Sequence, residues 1–222
     1  MLKRTVVICF ITLLTCSPLP AQGYFCSRKG ARLEYVRKTT RGEFVWRHVM
    51  TVTDVAADGT VTTSSDFLKA DGKNMYSGPV IEKTRVDAGT GEVILDMGKA
   101  LASYIKARTR LDATGSGKLS VLPSGMQPGD TLASVQAQAK IGPLKYTVSV
   151  YSRKVLRRET ITVPAGSFEC IVIREFKKES GPGHNREVGN ISWYSKDVGY
   201  VRHDTYKKEG SLLTREELYS IQ

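Results

Sequence analysis

Apolar and polar residues alternate one by one along much of this chain. A two-residue period fits extended strands, whose successive side chains point to opposite faces. Leu33 and Tyr35 alternate with Arg32 and Glu34, and Phe44, Trp46, His48, Met50 and Val52 share one face of the next run. Tyr146, Val148 and Val150 repeat the pattern, as do Phe168, Cys170 and Val172, and near the end Leu213, Tyr219 and Ile221 share a parity. Asp58-Gly59, Asp71-Gly72, Gly89-Thr90-Gly91, Gly115-Ser116-Gly117 and Glu209-Gly210 read as tight turns between these runs. The pattern predicts about ten half-buried strands in an all-β antiparallel sheet or barrel.

One segment departs from this period. Leu101, Tyr104, Ile105 and Arg108 recur at helical spacing within Met97 to Arg108, which predicts a short helix. Such a helix could lie across the mouth of a curved sheet or plug a barrel end, the second being the commoner arrangement. Pro123 to Asp130 (PSGMQPGD) is too rich in Pro and Gly for regular structure and reads as a long turn.

The first 21 residues have the order of a secretory leader. Lys3 and Arg4 precede an apolar run from Thr5 to Leu14, and Ala21 is a small residue suited to cleavage. The apolar run falls short of the ~20 residues that cross a bilayer. A lipoprotein leader acylated at Cys16 is the alternative, although Thr15 is a poor residue to precede the modified cysteine. Cleavage after Ala21 divides the chain into a leader, residues 1–21, and one domain, residues 22–222, with no membrane-spanning segment once processed. Loss of Lys3 and Arg4 lowers the formal net charge of +11 by two, and the remaining basic surplus is spread along the chain as a solubilising surface.

Of four cysteines, Cys9 and Cys16 leave with the leader, and Cys26 and Cys170 remain. In an oxidising compartment they are natural disulfide partners, with two buried free thiols as the alternative. So long a loop would stabilise by about 5 kcal/mol on the chain-entropy model. Two cysteines without a clustered histidine pair do not supply a zinc site.

Catalytic constellations are absent from the sequence. His48 lies on the aromatic face of its strand, as a hydrogen-bonded inward residue more than as a base; His184 sits in a glycine-rich turn. His203 and its neighbour Asp204 point to opposite faces of a strand. No serine elbow, phosphate loop, dinucleotide fingerprint or zinc helix occurs, and carboxylate pairs such as Asp54 with Asp58 or Glu216 with Glu217 carry no weight. No cofactor is implied. The basic run Arg153-Lys154 with Arg157-Arg158 lacks the interleaved aromatic platform of a nucleic-acid site and reads as a charged, exposed strand edge.

Three segments carry a resemblance. They are SRKVLRRETITVPAGSFECIVI (Ser152 to Ile173), WYSKDVGYVRHDTYKKEGSLLTREEL (Trp193 to Leu218) and, more weakly, LPSGMQPGDTL (Leu122 to Leu132). Together with YFCSRKGARLEY (Tyr24 to Tyr35), which looks like an opening strand, they resemble the TapB-like group of exported bacterial proteins, a domain family of unknown function. The resemblance implies an all-β envelope protein with a strongly twisted, partly closed antiparallel sheet, and no catalytic residues. Physically, Glu159 to Val172 reads as a hairpin, with Pro164 ending one strand and Gly166 supplying the turn. Asp197-Val198-Gly199 makes a bend before Tyr200 resumes its strand.

Trp193, Tyr194 and Tyr200 could form an aromatic platform for a carbohydrate or lipid, although packing a core is the commoner use of such residues. The sequence therefore predicts a non-catalytic binding or interaction module of the envelope, periplasmic or cell-surface. Its partner would be an envelope lipid, a polysaccharide or another envelope protein. The alternative is a half-open barrel that carries a lipid or other apolar molecule, with Met97 to Arg108 as its lid.

Overall fold

The structure, a computed structural model, describes residues 22–222; the proposed cleavage after Ala21 and acylation at Cys16 lie outside the described residues. The chain forms β1 (Arg32–Thr39), β2 (Phe44–Val55), β3 (Thr60–Leu68), β4 (Val80–Val86) and β5 (Val93–Asp96), then the helix α1 (Met97–Thr109). It continues with β6 (Thr114–Gly117), β7 (Leu119–Leu122), β8 (Thr131–Leu132), β9 (Val135–Ile141) and β10 (Leu144–Val163). Four long strands complete it: β11 (Gly166–Gly181), β12 (His184–Ser195), β13 (Gly199–Tyr206) and β14 (Leu212–Ile221).

All pairings are antiparallel, in the order β6-β9-β10-β11-β12-β13-β14-β1-β2-β3-β4-β5-β7, with β8 beside β10. The two ends of this path, β6 and β7, are consecutive in the chain with only Lys118 between them. The segment from Thr114 to Leu122 thus pairs first with β9 and then with β5, and draws both sheet ends together into a nearly closed barrel. This leaves the short strands β6 and β7 with an unpaired edge, which limits the edge surface that promotes aggregation.

The short segments at Asp58-Gly59, Asp71-Gly72, Gly89 to Gly91 and Glu209-Gly210 are turns, as the sequence predicts, whereas Gly115-Ser116-Gly117 is strand β6. Glycine serves close approach there. A Cβ on Gly115 would lie 1.9 Å from the Gly98 carbonyl oxygen of α1, and one on Gly117 2.6 Å from Ala137 Cα. The helix itself begins on a capping Asp96 carboxylate that accepts from the Gly98 and Lys99 amides, and ends on Arg110 in the left-handed region. It touches β4 and β5 on one side and β6 and β9 on the other, so it covers the seam.

The Val163–Gly166 hairpin and the bend before Gly199 form as expected. Other expectations change. Residues Tyr24 to Ala31 are not an opening strand: Tyr24 and Cys26 sink into the core, and the Gly23 carbonyl accepts from the Asp197 amide. This N-terminal strap crosses one barrel end, between the β4–β5 and β12–β13 turns. On β14 the buried parity is that of Glu216 and Leu218, while Tyr219 is 52% exposed.

Arg153 and its neighbours do not mark an edge, because β10 lies between β9 and β11. A bulge at Ser152, with φ 51°, turns Arg153 into the barrel. Finally, Cys26 and Cys170 are not bridged; both are free and buried in one apolar cluster. Burial and the nearby Glu159 charge push the Cys170 thiol up to about 12, so it stays a protonated packing group.

Candidate functional site

Inward-facing residues divide the barrel interior into three levels. The middle level is filled. Tyr35 stacks on Tyr200 at 4.4 Å and on His48 at 5.3 Å, and His48 stacks on Phe67 at 4.5 Å. Beneath these rings Glu216 accepts from Arg37 Nε (2.5 Å) and from the Tyr200 hydroxyl (2.9 Å), with His48 Nδ1 at 3.5 Å. His48 Nδ1 also lies 3.0 Å from the Tyr200 hydroxyl, and its Nε2 3.0 Å from Ser65 Oγ. Burial opposes ionisation of Glu216, yet the His48 hydrogen bond and the Arg37 charge outweigh it and hold the carboxyl well below the usual carboxylate range. The same carboxylate, after burial itself, raises the Tyr35 and Tyr200 hydroxyls well above the usual phenol value.

His203 faces this level with Nδ1 2.8 Å from Ser192 Oγ. Burial, and then the Arg37 charge, push it down to about 3, so it is neutral. Asp204 takes the other face, as alternation predicts, where Arg202 and Arg215 each grip it through two nitrogens at 2.7 to 3.1 Å.

Next to the strap end lies a pocket of about 250 Å³. Tyr24 and Phe25 of the strap, Met50, Val150, Tyr194 and Tyr200 line it, and Arg153 and Glu175 form an ion pair in its wall at 3.3 Å. Burial raises Glu175 against the pull of Arg153, and burial with the Glu175 charge pushes the Tyr194 hydroxyl up to about 12. The pocket is thus apolar with one internally satisfied polar spot. A polar groove of about 500 Å³ runs beside the strap along β10 and β11, but its Glu159 carboxylate is already held by Arg157 and Trp193.

Of the aromatic trio read from the sequence, Tyr194 and Tyr200 therefore meet at this pocket and Trp193 does not. Trp193 projects from the opposite face of β12, donates from its indole to Glu159 (2.5 Å) and lies under the Arg202 guanidinium at 4.4 Å. His48 is an inward hydrogen-bonded residue, as its aromatic face predicts, and His184 is an exposed rim residue 3.4 Å from Glu179. Sequence reasoning missed Glu216, Arg153 and Glu175. Alternation alone could have placed Glu175 on the face of Ile171 and Ile173, whereas the Ser152 bulge that turns Arg153 inward leaves no mark in the residue pattern.

The chain is thus a nearly closed antiparallel β-barrel, plugged in its middle and hollow next to a strapped end. More particularly, the chain belongs to the DUF3108-like family, whose sequence profile matches residues 28–218. The narrower TapB-like grouping suggested by the motifs is not what that match supports. A solved structure from Bacteroides fragilis, described as a candidate exported protein with a YmcC-like fold, superposes with a TM-score of 0.71 at 21% identity, covering 90% of this chain and 99% of that one. A candidate lipoprotein from Parabacteroides distasonis superposes with a TM-score of 0.73 at 16% identity, covering 91% and 99%. At such identities the likeness speaks for the fold alone. Among proteins with curated descriptions, none matches the chain in sequence.

Proposed function

We propose that this protein is a non-catalytic, exported binding module that takes a small apolar group, such as the end of an acyl chain, into the pocket under its N-terminal strap. The observation that carries this reading is the pocket of about 250 Å³ between Tyr24, Phe25, Met50, Val150, Tyr194 and Tyr200. Carriage of a whole lipid is less well supported, because drug-sized ligands already need about 300–1,000 Å³ and the stacked middle level blocks extension of the pocket. A non-catalytic role is supported by the state of the His48–Glu216 pair in the interior. Both His48 nitrogens and both Glu216 oxygens are occupied within the fold. Export is supported by the leader-like order of residues 1–21 and by the descriptions of the two structural neighbours, with anchoring through Cys16 as its variant.

Methyl NMR tests the pocket. Met50 and Met97 line it, whereas Met126 is buried elsewhere in the core. Titration with octanol is expected to shift the Met50 and Met97 ε-methyl signals saturably and to leave Met126 in place. Val150→Phe, which fills the pocket, is expected to abolish the response. Unmoved Met50 and Met97 signals, or an undiminished response in Val150→Phe, would contradict the reading.

A further inference from the structure

At the end of the barrel away from the strap, a second cavity of about 490 Å³ opens beneath α1 and the β11–β12 turn. Its place follows from register. The strapped pocket takes Met50, Val150 and Glu175, whereas this cavity takes Trp46, Tyr146 and Glu179, each four residues further along the same strands. The Tyr35–His48–Phe67 stack stands between them and continues through Tyr76 to Tyr104, two rings that line the second cavity.

The chemistry of this mouth differs from that of the strapped pocket. There the charges pair internally; here two solvent-exposed arginines line the cavity. The Arg108 guanidinium lies 5.9 Å from the Tyr76 ring centre and 5.6 Å from that of Tyr104, and it has no carboxylate partner among the described residues. Arg186 likewise has none among the described residues, because Glu179, opposite it across the β11–β12 pairing, is held by Lys177 at 2.9 Å and His184 at 3.4 Å. The Trp46 ring lines the same cavity beneath the Arg37 guanidinium, 4.3 Å from its centre, which makes its indole signal a reporter of the cavity. Gly181 completes the arrangement. A Cβ there would fall 2.4 Å from the Tyr146 ring, so only glycine lets that ring lie flat against the backbone at the cavity wall.

We propose that this mouth binds an acidic saccharide. The Tyr76–Tyr104 hydroxyl pair suits the hydroxyl oxygens of a sugar, the apolar side chains of the lining, Leu101 and Ile105 among them, suit its C–H groups, and the two guanidiniums suit its carboxylate, which arginine takes through paired N–H groups. A neutral sugar would leave both arginines without a counter-charge, and a bare inorganic anion would leave most of the cavity of about 490 Å³ unfilled.

The chain has two tryptophans, which makes the test direct. In an ¹⁵N-correlated spectrum Trp46 and Trp193 give two indole signals, assigned with Trp46→Phe, and Trp193, bonded to Glu159 outside the cavity, serves as the internal control. Trigalacturonate is expected to shift the Trp46 signal saturably and leave Trp193 in place. Arg108→Ala and Arg186→Ala are each expected to weaken that response about tenfold, the loss of one charge-assisted contact. An unmoved Trp193 signal in each variant establishes that it is folded. Four outcomes overturn the proposal: no Trp46 shift with trigalacturonate, an equal response to maltotriose, a response to inorganic phosphate alone, or a trigalacturonate response that both arginine variants retain.

Discussion

Glu216 and Glu217 are neighbours of identical chemistry, and alternation sends them to different solvents. Glu216 meets Arg37, His48 and Tyr200 inside the barrel, while Glu217 takes the outer face opposite Val36 and Arg202. The same level of the barrel fixes the behaviour of the protein in acid. His203 has a folded value of about 3 against about 6.5 in an unfolded chain, so only the unfolded state takes up its proton in that window. Its contribution is fully present above pH 6.5 and is lost, by up to about 1.4 kcal/mol per pH unit, as pH falls toward 3. Glu216, whose carboxyl is depressed, acts in the same sense below the ordinary carboxylate range, whereas the raised Glu82 and Glu175 act in the opposite one. The informative quantity is therefore a difference. Urea unfolding of His203→Gln, compared with the parent chain between pH 6.5 and 4.5, is expected to show a shallower loss of stability in acid. Parallel pH profiles would show that His203 protonates freely in the fold.

At the scale of elements, the segment Thr114 to Leu122 decides whether the sheet closes, and its glycines decide whether it can lie there. Gly115→Ala would press a methyl group to within 1.9 Å of the Gly98 carbonyl oxygen, against backbone that has no room to yield. A loss of about 2–4 kcal/mol in urea unfolding is expected, in the range of severe overpacking; an unchanged midpoint would contradict this account of closure.

The same segment shows how far the sequence could be read. A glycine cluster signals a turn when it follows a strand and precedes another, and at Asp58-Gly59 and Glu209-Gly210 that reading is right. At Gly115 the same residues serve close packing against a helix distant in the chain, which no local pattern reveals. Alternation likewise made the all-β fold, the inward His48 and the opposed His203 and Asp204 legible. It could not place Arg153, whose direction depends on a bulge, or the face of Tyr219, since parity alone does not say which side is the core. The site was legible in part: Tyr194 and Tyr200 line the pocket, but adjacency in sequence put Trp193 on the other face of its strand. The cysteines follow the alternative of two buried free thiols, because residue type and count alone do not say whether two core cysteines meet or pack apart.

At the scale of the whole molecule, the barrel is a wall around a filled centre with a hollow at each end. The two hollows differ in character. One is apolar with its charges paired internally, and the other is aromatic with unpaired guanidiniums. The N-terminal strap bears directly on the first, because Tyr24 and Phe25 are both its cover and part of its lining. The role proposed for this covered pocket is to hold a small apolar group in the cell. Native mass spectrometry of the chain purified from its native cells tests it most directly, with Val150→Phe purified in parallel. The account predicts a small apolar adduct on the parent chain that is released on unfolding and is missing from Val150→Phe; a bare parent chain, or the same adduct on both proteins, would contradict it.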